Sequence, residues 1–356
     1  MIGVLKDVSE FRSAASEALT DALGQFDGSR PIFVVSHFDA DGLSAAALLV
    51  RSLEQAGRRS VPFIIGRGQT PWDQEVTARI KAHDPGGLIL ADLGTRPEAV
   101  LPDCPTIVID HHVPSGEPPE AILISGNGLE PEPTTALLAW WAAGALGDQT
   151  DLLWLAAIGL IGDMAEGRTF PELEEAQLRW GKTALRDAVS LVNAPRRTAA
   201  ADASPALRLL LKASGPKEIT KGRDPDALLL HAAKAEVREA MEQAKRAAPF
   251  VAGEVALIQL DSACQIHPLI AQQWRMRLRD KIVIVANKGY RPGWVHFAAR
   301  SATGRNLIDF LAKHRPPTAD HRYGNGHAQA TGGALTAADW NSFVDSLGIP
   351  RAQVSA

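Results

Sequence analysis

Cysteine is nearly absent: Cys104 and Cys264 are the only two in 356 residues, and they lie far apart. That excludes a disulfide framework and a thiolate-rich metal site, and it suits a reducing cytosol. No run of about 18 apolar residues passes without a charge, so no membrane span is expected. The N-terminal stretch MIGVLKDVSEFRSAASEAL lacks an uninterrupted apolar segment and does not read as a secretory leader. Strong charge of either sign is also missing. The net charge is −4 and the sequence pI about 6.2, so the chain as a whole does not announce a polyanion partner. Internal repeats and low-complexity tracts are not found.

What remains is an ordinary globular composition, 46% hydrophobic and 22% charged, long enough for one large or two ordinary domains. Short apolar runs at 31–35, 61–65, 87–92 and 106–110 read as strands. A helix between 43 and 57 and another over 73–83 alternate with them. This pattern predicts a parallel sheet with helices on both faces. From Thr134 the texture turns helical: two nearly all-apolar stretches (134–146 and 151–164) are followed by 172–193 and 206–213. Residues 226–247 form a long amphipathic helix, read as part of a connector. After Pro249 strands and helices alternate again, ending in the glycine-rich loop YGNGHAQATGG. The expected organisation is α/β in two domains: 1–195, a helical connector 196–249, and a smaller α/β domain 250–350.

The acids fall in a telling pattern. His37, Asp39 and Asp41 follow the first strand in SHFDADG; Asp92 ends the third; Asp110, His111 and His112 follow the fourth. In an open parallel sheet the C-terminal strand ends share one edge, where ligands bind. Asp163 closes an apolar helix in IGLIGDM. Singly, Asp92 or Asp163 reads as a cap or turn former. Together, so many carboxylates repel unless cations neutralise them. Carboxylates with imidazoles suit a divalent ion such as Mn²⁺, and the set is too large for one ion, so two are inferred, about 3.5–4 Å apart across a bridging carboxylate. Without cysteine in the cluster, structural zinc is disfavoured.

SHFDADG, ADLGT, DHH and GDM, in this order, resemble the four motifs of the DHH phosphoesterase superfamily, and GNGHAQATGG is similar to the GGGH-type motif of its associated C-terminal domain. The resemblance implies that His37 and Asp39 hold one metal, that Asp41, His111 and Asp163 hold the other, and that Asp92 bridges them. From the ligand chemistry Mn²⁺ is the ion expected, with Mg²⁺ second. His112 would face the scissile phosphate, and Asp110 would orient a neighbouring histidine. SLVNAPRR and AARSATGRNLIDFL are similar to segments of the RecJ-type branch, which implies phosphate contacts from Arg197 and Arg300, with Ser301 beside the latter. His327 and the amides of Gly324 and Gly326 would hold the substrate's other end.

The implied activity is hydrolysis of terminal phosphodiester bonds of single-stranded DNA or RNA by a cytoplasmic monomer or homodimer. The alternative is a nanoRNase or pAp phosphatase acting on short oligonucleotides. A non-catalytic nucleic-acid binder is disfavoured by the intact acid set. Between Gln265 and Asn325 stand eleven Lys and Arg against Asp280, Asp309 and Asp320, a basic region suited to guiding a polyanion.

Overall fold

The computed structural model describes residues 8–320 and 322–355, apart from the side chains of Asn325 and His327. The chain divides into two compact units, 1–196 with 201–232, and 197–200 with 233–356.

The first unit begins with α1 (Val8–Gln25) and alternates β1 (Ile32–Ser36), α2 (Ala40–Gln55), β2 (Ser60–Ile64), α3 (Gln74–Lys81), β3 (Gly87–Ala91), β4 (Thr106–Asp110) and β5 (Ile122–Ser125). The five strands form one sheet in the order β2-β1-β3-β4-β5, and every pairing is parallel. The expected strands are present within a residue or two. α1 and β5 carried no sequence expectation. β5 is only four residues long and too short to show a period.

Alternate side chains along the strands enter two cores, as a pleated strand requires. Ile32, Val34, Ile89, Ile107 and Ile109 join the helical core. Phe33, Val35, Leu88, Leu90 and Val108 pack on the opposite face with Val76 and Ile80 of α3.

Helices complete the first unit: α4 (Thr135–Ala143), α5 (Leu153–Gly162), α6 (Pro171–Trp180), α7 (Lys182–Val192), α8 (Ser204–Lys212) and α9 (Pro216–Lys221). The stretch expected as one helix over 172–193 is two. Gly181 takes φ +88 between them, a backbone that ends a right-handed helix and favours glycine. The long helix α10 (Pro225–Ala244) contains the boundary between the units, at Ala232 and Ala233. Ala227 and Leu230 belong to the first unit's core, Val237 to one of the second's.

The second unit holds β6 (Phe250–Ala252), β7 (Val255–Leu260), α11 (His267–Arg277), β8 (Ile282–Arg291), β9 (Trp294–Ser301), α12 (Leu307–Lys313), β10 (Tyr323–His327), β11 (Ala330–Thr336) and α13 (Ala337–Ser346). Its sheet runs β10-β11-β9-β8-β7-β6, with β7 and β8 parallel and the other pairs antiparallel. The tail read as a glycine-rich loop is instead the hairpin β10–β11. Glycine serves it by close approach: a Cβ at Gly326 would collide with the Ala330 carbonyl.

Among the described residues, no helix is long and apolar enough to cross a membrane.

Candidate metal centre

The C-terminal ends of β1, β3 and β4 deliver the acids and imidazoles to one place. After β1 the chain turns at once into α2. Asp39 is its N-cap and accepts from the Gly42 amide at 3.2 Å. Asp41 lies in the first turn and is fully buried. The Gly42 position is tight, because a Cβ there would stand 2.6 Å from the His37 carbonyl oxygen. Asp92, just beyond β3, takes φ +65, an uncommon backbone for a non-glycine residue and one that clusters at functional sites. Asp163 caps α5, and Met164 after it is also left-handed, at φ +58.

Asp92 sits between two groups. Its Oδ2 is 3.5 Å from His37 Nδ1, which is 3.1 Å from Asp39 Oδ2. Its Oδ1 is 3.7 Å from His111 Nε2 and 3.9 Å from His112 Nδ1. His111 Nε2 in turn faces Asp163 Oδ2 at 3.3 Å and Asp41 Oδ2 at 3.9 Å. Among the described residues, three sets could each converge on an ion: His37, Asp39 and Asp92; Asp41, His111 and Asp163; and Asp92, His111 and His112. Asp110 stands apart from them. Its Oδ1 accepts from His112 Nδ1 at 2.9 Å and from the His112 amide at 2.7 Å, while Oδ2 accepts from the Gly94 amide at 2.7 Å.

The electrostatics show a cluster short of positive charge. Burial pushes Asp41 well above the usual carboxylate range, helped by the charges of Asp92 and Asp163. Burial also raises Asp92, to about 6, and the Asp39 charge adds to it. Burial works against the charged imidazoles, yet the carboxylates outweigh it: His37 and His111 are held up at about 10. His112 rises to about 9, chiefly through its bond to Asp110. Asp39 falls well below its usual value despite burial, because His37 and Arg196 face it. Both ring nitrogens of His111 are buried without a hydrogen bond. Buried polar atoms left this way are rare and call for a partner. Convergent carboxylate oxygens beside unbonded imidazole nitrogens fit divalent ions.

Several supporting residues carried no sequence expectation. The start of α4 supplies the amides of Thr135 and Ala136 to Asp41, at 2.8 and 2.9 Å, and the Thr135 hydroxyl to Asp92 at 3.1 Å. The signal was present in EPEPTT, where threonines just before an apolar helix mark its N-terminus. In NAPRR, Arg196 is the residue near the cluster, 3.8 Å from Asp39, and Asn193 accepts from the Ala40 amide at 3.0 Å.

Arg197, the residue singled out from sequence, lies in the second unit, where its carbonyl accepts from the Gln265 amide. Its charge, with those of His296 and Arg300, reinforces the burial that pushes His267 down to about 3. Arg197 and Arg300 are therefore brought near one buried histidine. Arg300 Nη1 donates to the carbonyls of Ala299 and Thr331, and burial together with the Arg275 charge lowers its pKa. Ser301 is buried, its hydroxyl 2.8 Å from that of Thr303. Gly324 and Gly326 lie in β10, while the His327 side chain lies outside the described residues.

Gly159 on α5 packs directly against Asp41. A Cβ there would collide with Asp41 Oδ1 and with the Ala136 Cβ. Gly159→Ala is expected to cost about 1–3 kcal/mol in metal-free chemical unfolding, the usual range for overpacking a filled core. An unchanged midpoint would show that Asp41 yields without cost.

The model of the DHH family, N-terminal domain, matches residues 31–159. The single-stranded-DNA-specific exonuclease RecJ of Thermus thermophilus is 33% identical over 168 residues, 42% of this chain and 24% of that protein. Its namesake in Dickeya dadantii is 26% identical over 397 aligned positions, 92% of this chain and 67% of that protein. The chain thus spans about a quarter of the first curated relative and two thirds of the second. Among solved structures, RecJ of Thermus thermophilus in complex with Mn²⁺ aligns with TM-score 0.72 and 21% identity, over 97% of this chain and 55% of that one. An exonuclease RecJ bound to manganese aligns with TM-score 0.65 and 23% identity, over 96% and 97% of the two chains. At these identities the structural likeness shows the fold, and the family domain contains every residue of the cluster except Asp163. Residues 31–159 thus match the N-terminal domain of the DHH family, and the chain's homologues in sequence and structure over most of its length include RecJ proteins.

Proposed function

We propose that the protein is a metal-dependent phosphodiesterase that removes nucleotides from an end of single-stranded nucleic acid. The observation that carries this reading is the position of Asp92, with one carboxylate oxygen toward His37 and the other toward His111. His37 and Asp39 would hold one divalent ion, Asp41, His111 and Asp163 a second, and Asp92 both. Mn²⁺ is the first choice and Mg²⁺ the second, the two ions named with RecJ structures. When bound, such a pair supplies Lewis acidity for in-line displacement of a phosphodiester by water.

The chain's own groups do the rest. His112 is half exposed, and Asp110 holds it protonated through Nδ1. Its other ring N–H is left to meet phosphate oxygens, where an ionised donor makes a strong hydrogen bond. Arg196 offsets charge beside Asp39. In the second unit, Arg197 and Arg300 would grip backbone phosphates, a task suited to planar guanidinium groups.

Both curated relatives carry the name of a single-stranded-DNA-specific exonuclease, which favours a strand over a short oligonucleotide. The test is direct. Purified protein with Mn²⁺ is given a 3′-labelled single strand and, separately, a labelled dinucleotide. A ladder of shortening strands is the expected result and would mark attack from the 5′ end. Cleavage of the dinucleotide with the strand intact would replace this reading with that of a nanoRNase. Hydrolysis of neither would remove the enzyme reading.

A further inference from the structure

We infer that Glu132 is a positioning residue for the metal centre: it accepts a hydrogen bond from His111 Nδ1–H and so leaves the Nε2 lone pair for the cation that the three aspartates would share. This role rests on the metal reading proposed above and extends it to a residue outside the four motifs.

The argument starts with His111. Its Nε2 looks into the cluster, toward Asp163, Asp92 and Asp41. A neutral imidazole has one N–H and one lone pair. For Nε2 to ligate a cation, the proton must sit on Nδ1. Nδ1 is buried and makes no hydrogen bond. The carboxylate that faces it is Glu132, with Oε1 at 3.9 Å. Metal-ligating histidines almost always donate their second N–H to a carboxylate, carbonyl or water, which fixes both tautomer and ring orientation. A separation of 3.9 Å is longer than a hydrogen bond. Such contacts are often long before the site is loaded and tighten afterwards.

Glu132 is also held for the task. It stands between Pro131 and Pro133, each with φ fixed by its ring, and a residue before proline is confined to extended backbone. Arg168 grips it twice, donating to its carbonyl oxygen and standing 3.5 Å from Oε2. Oε1 is left toward His111. Three and four residues further on, Thr135 and Ala136 hold Asp41, and Thr135 also holds Asp92. The segment from Glu132 to Ala136 therefore supports one histidine and two aspartates of the same cluster.

An exposed Glu–Arg pair contributes little stability by itself, so a purely structural role would leave metal uptake untouched. The experiment is a substrate-free Mn²⁺ titration of the parent, Glu132→Ala, Glu132→Gln and Arg168→Ala, with calorimetry and electron paramagnetic resonance counting bound ions. Glu132→Ala is expected to weaken one of the two Mn²⁺ sites by about 10–100-fold, the usual loss for such partners. The other site should keep its affinity. Glu132→Gln retains an acceptor oxygen and should recover most of the loss. Arg168→Ala should show a smaller loss at the same site. Metal-free melting curves check that each variant is folded. Parental affinity at both sites in Glu132→Ala would overturn the role of Glu132. Absence of Mn²⁺ uptake by the parent would instead overturn the metal centre itself.

Discussion

Asp92→Asn is expected to abolish Mn²⁺-dependent hydrolysis while leaving the metal-free protein at least as stable as the parent. The two halves of this result have opposite signs for one physical reason. In the metal-free protein Asp92 is a buried carboxylate whose pKa stands at about 6, raised by burial and by Asp39. At neutral pH its charge opposes folding. The amide removes that charge and keeps an oxygen for the Thr135 hydroxyl, now 3.1 Å from Oδ1. With metal present the balance should reverse, because among the described residues Asp92 alone faces both His37 and His111 and an amide is a weaker ligand for a hard cation. The loss of activity should exceed the roughly 10–100-fold seen when a supporting partner of a ligand is removed. Thermal melts with and without Mn²⁺ check both halves. The parent should gain melting temperature on Mn²⁺ addition through preferential binding to the folded state, and the variant should not. A variant destabilised without metal would mean that Asp92 is a structural residue.

The parts of this molecule that could be read from its sequence are those governed by local rules. The first four strands of the first unit announce themselves as short apolar runs, and the motif acids mark the strand ends where a parallel sheet places its ligands. Asp110 also follows a local rule: two residues before His112, it can reach both the amide and the ring. Distance along the chain hides the rest. Thr135 meets Asp41 and Asp92 across 94 and 43 positions. Glu132 faces His111 from beyond β5, with no motif to mark it. In NAPRR one residue decides the matter. Two adjacent arginines look alike in sequence, but the chain leaves the first unit between them, so Arg196 faces Asp39 and Arg197 lies near His267. The hairpin at the tail was missed because glycine is a poor strand former by propensity, and it is pairing with β9 and β10 that makes β11 a strand.

The second large effect concerns pH. Metal-free protein is expected to lose thermal stability steadily from about pH 6.5 upward, and Mn²⁺ should flatten or invert that slope. His37 and His111 are held at about 10 and His112 at about 9, against an ordinary value of 6.5. A raised value means that the folded state binds these protons more tightly than the unfolded chain. The stabilisation is complete below 6.5 and is lost as pH climbs through the folded values. Asp92 acts in the same direction at lower pH, since its rise to about 6 makes its contribution fade on the way up to that value. Asp39 and Asp110, which are lowered, contribute above the ordinary carboxylate range and lose that contribution only in acid. His267, pushed down to about 3, is silent above 6.5. Nothing among these groups opposes the fall in the alkaline direction. Bound Mn²⁺ would take the place of the protons on His37, His111 and Asp92, because a ligating histidine must be neutral and a ligating aspartate ionised. Metal affinity should therefore rise with pH, by up to tenfold per unit for each proton displaced. Melting curves between about pH 6.5 and 8.5 in chelator and in Mn²⁺, with calorimetry in buffers of different ionisation enthalpy, measure the slope and the protons released. A flat metal-free profile would show that the three histidines are neutral in the folded protein, and the carboxylates around them would then need another source of positive charge.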